Sequence, residues 1–327
     1  MGKKTSIPGT KETKVAAATV AGGPKNVKKL RFGVTVDIQA ALELAMGGEG
    51  AKSGVPRFEN IDPVAVVRQA YERHGIKVIE LPADANYVLS NILTRGLVPL
   101  SKLRDELGVE YTIHLPFFNL ALCSLNQHIR AASIETIVEN IKACEQIGGI
   151  NNYVLHVTGD IEDSINSFDI DMHYKELAWG YFLDKGYQSL EEIISRTGVA
   201  PAKICVENME GVPFSRTCDI LVNDLGVSIC LDVGHAILQG EEHPVDFMTR
   251  WKDKVHEIHL HNVLQKIYQR RVRVYDDHHS IKHGVLEVVA FLHHLEAMAF
   301  KHPVLLEIEK QLEVAESIAY LREMGFL

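Results

Sequence analysis

Residues 227–235, VSICLDVGH, end an apolar run in a carboxylate followed three residues later by an imidazole. Val227, Ile229 and Leu231 would face one way in a strand, and Ser228, Cys230 and Asp232 the other. Large aliphatics on one face, with small residues leading to an acid on the other, is the pattern of a parallel-barrel strand. Its outer face meets helices and its inner face leads to a site at the carboxyl end. Taken singly, Asp232 is as readily a turn carboxylate and His235 a core histidine. The same event recurs along the chain, however. Apolar runs end in His114, His156, Glu207, Asp232, His259 and Glu307, with His235 just after the fourth of these. A stretch bearing Asp276-Asp277-His278-His279 follows His259. Charges converging on one confined mouth would repel and would be costly to desolvate. Divalent ions resolve this by neutralising the carboxylates and taking the imidazoles as ligands. Mixed nitrogen and oxygen donors suit zinc best, with manganese and iron next. His261 shares the facing of His259 and rivals it, as Glu309 rivals Glu307. His293 and His294 read as solvated helix residues.

These residues need a scaffold that delivers each strand to the same end. Strands are predicted at 31–36, 76–81, 110–115, 152–157, 203–208, 227–232, 255–261 and 303–308. Helical patterns lie between them: one from Asn60-Ile-Asp-Pro63, then 86–107, 127–147, 172–197, 214–225, 243–253, 285–299 and 311–324. Pro63 suits a first helical turn, and Gly75, Gly108, Gly148 and Gly226 punctuate helix ends. Eight strands each followed by a helix is the α/β (β/α)8 TIM-barrel count, with the metal site at the C-terminal mouth of the strands. An open doubly wound sheet would carry fewer strands, and no Gly-x-Gly-x-x-Gly fingerprint is present. The stretches 37–60, 158–170 and 262–284 follow strands and are predicted as long loops at the mouth.

Residues 1–29 are rich in Lys, Thr, Ala and Gly and are predicted to be a disordered basic tail, leaving 30–327 as a single barrel domain. A net charge of −9 argues against a dominant nucleic-acid surface. The five cysteines, an odd number without a close pair, read as reduced thiols of a cytoplasmic protein. No apolar run approaches the length of a membrane span.

The segments His114-Leu-Pro-Phe-Phe-Asn, Cys144-Glu-Gln-Ile-Gly followed by a strand and His156, and Val206-Glu207-Asn208 resemble those of one superfamily. So do Cys230-Leu-Asp232-Val-Gly-His235, Ile258-His259-Leu260, Asp276-Asp-His278-His279-Ser and Leu306-Glu307. It is the xylose isomerase-like TIM barrels (AP endonuclease family 2), and the ligand pattern is most similar to endonuclease IV. The resemblance implies up to three ions per chain. His114 and His156 would hold one with Glu207. Glu207 would bridge to a second, shared with Asp232, His259 and Glu307. His235, Asp276 and His278 would hold the third. Simpler isomerases of the superfamily use one ion and only Glu207, Asp232, His259 and Glu307. The chain departs from the endonucleases at Val34-Thr-Val36-Asp37, at Val157-Thr-Gly-Asp160 and at Phe117, where a tyrosine is usual. These segments contact DNA in that family. The expectation is therefore a multinuclear metal-dependent hydrolase acting on a phosphoester or amide of a small molecule, as in corrinoid remodelling, rather than on DNA. The alternatives are a single-metal sugar or sugar-phosphate isomerase or epimerase, an abasic-site endonuclease, and a non-enzymatic metal-binding module. In either small-molecule reading Glu207 and Glu307 are the expected catalytic carboxylates.

Overall fold

The computed structural model describes residues 29–36, 61–88, 92–159, 162, 164–165, 168–209, 212–240, 242–268 and 272–327. The predicted tail, apart from Lys29, and the predicted loop 37–60 lie outside these residues.

Short apolar runs separated by capped amphipathic helices give β1 (Arg31–Thr35), α1 (Pro63–His74), β2 (Val78–Pro82), α2 (Ile92–Leu107) and β3 (Glu110–His114). Then follow α3 (Gln127–Cys144), β4 (Ile150–Leu155), α4 (Met172–Thr197), β5 (Ile204–Glu207) and the helical stretch α5 (residues 214–225). The chain continues with β6 (Ser228–Asp232), α6 (Val233–Gln239), α7 (Pro244–Trp251) and β7 (Val255–Leu260). It ends with β8 (Asn262–Tyr268), β9 (Val272–His279), α8 (Val288–Ala297), β10 (Pro303–Leu306) and α9 (Gln311–Glu323). Asp62 caps α1 by accepting from Val64 N–H, with Pro63 in the first turn, and Gly75 ends it at φ 70°.

The strands close into a parallel barrel in the order β1-β10-β7-β6-β5-β4-β3-β2. Sequence-adjacent strands are therefore spatial neighbours, and β10 closes on β1, as the (β/α)8 reading requires. Outward-facing Ile229 and Leu231 are fully buried under the helices. Helix α3 returns Ile134, Ile137, Val138 and Ile141 to the same layer. Each such side chain contributes ~1.5–3 kcal/mol by burial, so truncating Ile137 to Ala would cost ~2–5 kcal/mol.

The barrel interior is partly polar. Val154, Cys205 and Cys230 form a small inner cluster. Near it Glu257 accepts from Thr112 Oγ1 at 2.8 Å and from Asn152 Nδ2 at 2.6 Å. Burial, reinforced by the charge of Glu80, pushes the Glu257 carboxyl up to about 8. All five cysteines are buried, and none is in a disulfide.

The structure corrects one predicted loop. Between β7 and its helix the chain forms an antiparallel hairpin, β8 with β9, pairing Asn262 with His279 and Leu264 with Asp276. Asn262 gathers the base of this insertion: its Oδ1 accepts from Leu286 N–H at 2.9 Å and its Nδ2 donates to Leu286 O at 3.1 Å. No helix among the described residues is long and apolar enough to cross a membrane.

Candidate metal centre

The strand ends meet at the mouth. His114 closes β3, His156 follows β4, Glu207 closes β5, Asp232 closes β6, His259 lies near the end of β7, and Glu307 follows β10. Register explains the convergence, since Asp232 pairs with His259 across β6 and β7. Glu207 is the hub. Its Oε2 lies 3.1 Å from His156 Nε2, 3.4 Å from His114 Nε2 and 3.6 Å from His259 Nδ1. Its Oε1 lies 3.4 Å from His235 Nδ1. Glu307 Oε2 stands 2.8 Å from His259 Nδ1 and 3.7 Å from His278 Nε2.

Among the overlapping groups whose ligand atoms all lie within 4.8 Å of one another, three span the mouth: His114, His156, Glu207; Glu207, Asp232, His259, Glu307; and Asp232, His261, His278, Glu307. The first two match the sequence-derived groupings for two of the three ions. The third does not.

His235 lies in the first turn of α6, where its N–H donates to the capping Asp232 Oδ1 at 2.7 Å, and its Nδ1 lies 3.0 Å from Asn208 O. Asp276 is turned away. Its Oδ2 lies 2.9 Å from His279 Nε2, and His279 Nδ1 lies 2.9 Å from Glu313 on α9. The predicted partner of Asp276 is His278; the contact seen for it is with His279. Two residues apart on a regular strand share a face, but His278 has φ 53° and breaks that alternation. Asp277 takes the place beside His278, 3.2 Å from its Nδ1. The hydrogen bond with His278 holds the Asp277 carboxyl down at about 2.

His261, treated in the sequence only as a rival to His259, is brought in as well. Its Nε2 lies 3.0 and 2.9 Å from the two Asp232 oxygens. Its Nδ1 accepts from His278 N–H at 2.9 Å, and the two rings stack with centroids 4.2 Å apart. Gly234 makes room for it, because a Cβ there would meet His261 Cε1 at 1.9 Å. The glycine of Asp-Val-Gly-His is thus set by close approach. Glu309, the rival of Glu307, is exposed. Sequence reading missed Glu80, a fully buried acid on β2 whose Oε2 lies 3.3 Å from His259 Nε2. Its signal was a lone acid inside the otherwise apolar run Val78–Leu81.

Burial opposes charge throughout the centre, but mutual attraction prevails. Burial would raise the Glu207 carboxyl, yet His156, His259 and His114 hold it well below the usual range. Burial would lower the His114 imidazole, yet the hydrogen bond to Glu207 and the charges of Glu80, Glu207 and Glu307 push it up to about 9. Despite their 2.8 Å approach, His259 Nδ1 and Glu307 Oε2 lie off the hydrogen-bond axis, and neither has a hydrogen-bond partner. Two buried polar atoms without hydrogen-bond partners, among three carboxylates and several imidazoles, fit a divalent cation with mixed nitrogen and oxygen ligands. Phe117 walls the opening, its ring 4.7 Å from that of His156.

A family model described as xylose isomerase-like TIM barrel matches residues 68–324. The Methanocaldococcus jannaschii protein MJ1311 is 22% identical over 259 residues, covering 76% of this chain and 80% of its own. MJ1614 of the same organism is 26% identical over 196 residues, covering 57% and 67% respectively. The crystal structure of a D-tagatose 3-epimerase-like protein superposes with TM-score 0.64 at 20% identity, over 90% of this chain and 97% of that one. A 3-keto-D-glucoside 4-epimerase from E. coli, in its apo form, superposes with TM-score 0.61 at 14% identity, over 91% and 100%. A D-psicose 3-epimerase from Clostridium cellulolyticum H10, solved with D-tagatose, gives TM-score 0.59 at 13% identity, over 91% and 99%. At these identities the structural likeness speaks for the fold.

Proposed function

Because this chain belongs to the xylose isomerase-like TIM barrel family, we propose that it is a divalent-metal-dependent isomerase or epimerase of a small polyhydroxylated carbonyl compound, such as a sugar or sugar phosphate. The observation that carries this reading is the quartet of Glu207, Asp232, His259 and Glu307, which sets three carboxylates from different strands in one group, Glu207 and Glu307 among them as a proton-transfer pair. These four residues would hold the ion. When bound, it supplies positive charge that polarises the substrate carbonyl and the neighbouring hydroxyl.

The remaining work falls to the chain. Glu207, held ionised, accepts the proton from the carbon beside the carbonyl. The C–H electron pair moves into a carbon–carbon double bond, and the carbonyl pair moves to oxygen. Glu307, loaded with a proton from solvent, delivers it to the opposite face of that carbon, or to its neighbour; the pairs move back, and Glu207 releases its own proton to solvent to restore the starting state. His114 and His156, in contact with Glu207, fix its orientation. Phe117 covers the approach and reduces water access.

The test is solvent-proton exchange. Metal-replete protein incubated with a panel of ketoses, aldoses and their phosphates in deuterated buffer should wash deuterium into one carbon position. Glu207→Gln should abolish it. Absence of exchange across the panel, with cleavage of phosphoesters or amides by the same preparation, would replace the isomerase with a hydrolase.

That second reading keeps one specific support. The three overlapping ligand groups offer more donors than a single ion needs. A multinuclear hydrolase would show more than one tightly held transition ion per chain after repletion, and the isomerase one.

A further inference from the structure

On the side of His259 opposite Glu307 lies a carboxylate that the proton-transfer scheme does not use. Glu80 stands within β2, in register with Thr35 of β1 and Thr112 of β3. Thr35 Oγ1 donates to its Oε1 at 3.3 Å, and its Oε2 faces His259 Nε2 at 3.3 Å. Both side chains are 0% exposed. Among the described residues no lysine or arginine pairs with Glu80, and His259 is its ion-pair partner. An acid taken fully out of water is costly unless its hydrogen bonds serve it well.

The opposite ring nitrogen of His259 shows what those bonds achieve. Nδ1 lies 2.8 Å from Glu307 Oε2 and 3.6 Å from Glu207 Oε2. It makes no hydrogen bond there. A neutral imidazole carries its proton on one nitrogen and a lone pair on the other. A ring that donates from Nε2 to Glu80 therefore presents a bare Nδ1 to the mouth. We propose that Glu80 is a positioning residue of the centre: by accepting the Nε2 proton of His259 it sets the tautomer and rotation that aim the Nδ1 lone pair at the ion shared with Glu207, Asp232 and Glu307. This rests on reading the quartet as a metal site. Glu257, two residues before His259 on the same strand, bonds to Thr112 and Asn152 instead. It provides a control for removing a buried acid without touching the ring.

Zinc affinity is measured by competition with a chromophoric chelator on stripped full-length protein, for the wild type, Glu80→Ala, Glu80→Gln and Glu257→Gln. Loss of a carboxylate behind a ligating histidine lowers metal affinity ~10–100-fold. Glu80→Ala should fall in that range. Glu80→Gln, whose amide oxygen still accepts, should fall less, and Glu257→Gln should match the wild type. Nitrogen-15 spectra of zinc-loaded protein with labelled histidine should show a protonated Nε2 and a metal-shifted Nδ1 at His259. The near-isosteric Gln variant and these spectra keep the test decisive if Glu80→Ala does not fold. Wild-type affinity in both Glu80 variants, or Nε2 as the metal-bearing nitrogen, overturns the proposal while leaving the metal site standing. A wild-type protein that holds neither zinc nor any other divalent ion overturns the metal reading itself.

Discussion

Replacing Glu207 by Gln keeps the side chain's shape and removes one negative charge from the point where four imidazoles meet. His156, His114, His235 and His259 all lie 3.1–3.6 Å from its oxygens. The ion-free protein gives the first readout. Burial lowers the affinity of His114 for a proton, but Glu207, Glu80 and Glu307 together raise its pKa from 6.5 to about 9. At 1.36 kcal/mol per unit this is ~3 kcal/mol in favour of the charged ring. His114 is buried, so solvent screening removes little of it. Because the folded pKa lies above the unfolded one, this stabilisation is complete below pH 6.5 and disappears as pH rises through about 9. Urea denaturation of chelator-stripped wild type at pH 6, 7, 8 and 9 should therefore show a progressive loss, His114 contributing up to ~3 kcal/mol. Glu207 supplies the hydrogen bond as well as one of the three charges. Glu207→Gln should thus remove at least about a third of that slope and bring the NMR titration of His114 down. In the metal-replete protein, exchange of the carbon-bound proton should fall by at least ~100-fold, the lower end for loss of a general base. An unchanged pH slope together with undiminished exchange would refute Glu207 as the hub of the centre.

Gly234→Ala puts a methyl group where His261 Cε1 now lies, 1.9 Å away. Overpacking of this kind costs ~1–3 kcal/mol, so a lower Tm and weaker metal binding should appear together in thermal melts and chelator competition. Stripping the ion from the wild type should lower Tm reversibly, since a ligand at 100 times its Kd contributes ~2.7 kcal/mol; a Tm indifferent to chelator and to added zinc, manganese or iron would argue against a resident ion. A chain beginning at Leu30 should retain the barrel and its exchange activity, because pairing with β10 begins at Arg31; circular dichroism and the deuterium assay check this.

The barrel could be read from the sequence because each strand is a short apolar run with a turn signal on either side. The ligands at its mouth were visible for a related reason: a histidine or acid ending an apolar run is costly unless something gathers it with others. His114, His156, Glu207, Asp232, His259 and Glu307 all announced themselves in this way. The hairpin was not seen, although Val272-Arg-Val-Tyr-Asp alternates, because neither of its strands serves the barrel. The contact of Asp276 with His279 was not foreseen because a left-handed backbone at His278 leaves no mark in residue type. Glu80 was passed over because its partner His259 lies 179 positions away. Nothing local distinguishes a structural buried acid from one that serves a histidine. Family resemblance pointed to nine ligands together. The geometry brings seven of them into close groups, sets His235 beside Glu207 and Asp276 beside His279, and adds His261 with Asp277 close by.

The pinched base of the β8–β9 hairpin separates two kinds of ligand inheritance. His114, His156, Glu207, Asp232, His259, His261 and Glu307 come from the barrel strands or the positions just after them, and they would remain if the excursion were removed. His278, with Asp277 beside it, arrives on a detour whose ends Asn262 ties to Leu286. The two ends of the detour are also joined by Val285 N–H donating to Val263 O, and the detour is anchored through His279 and Ser280 to Glu313 of α9. Excising it between Asn262 and Leu286 would pare the cluster back toward the four-ligand quartet without reopening the sheet. Grafting it after the seventh barrel strand of a plainer relative would carry His278 and Asp277 into a centre that lacked them. If the centre holds metal as proposed, it is this hairpin, and not the barrel strands, that would decide whether His278 takes part in it.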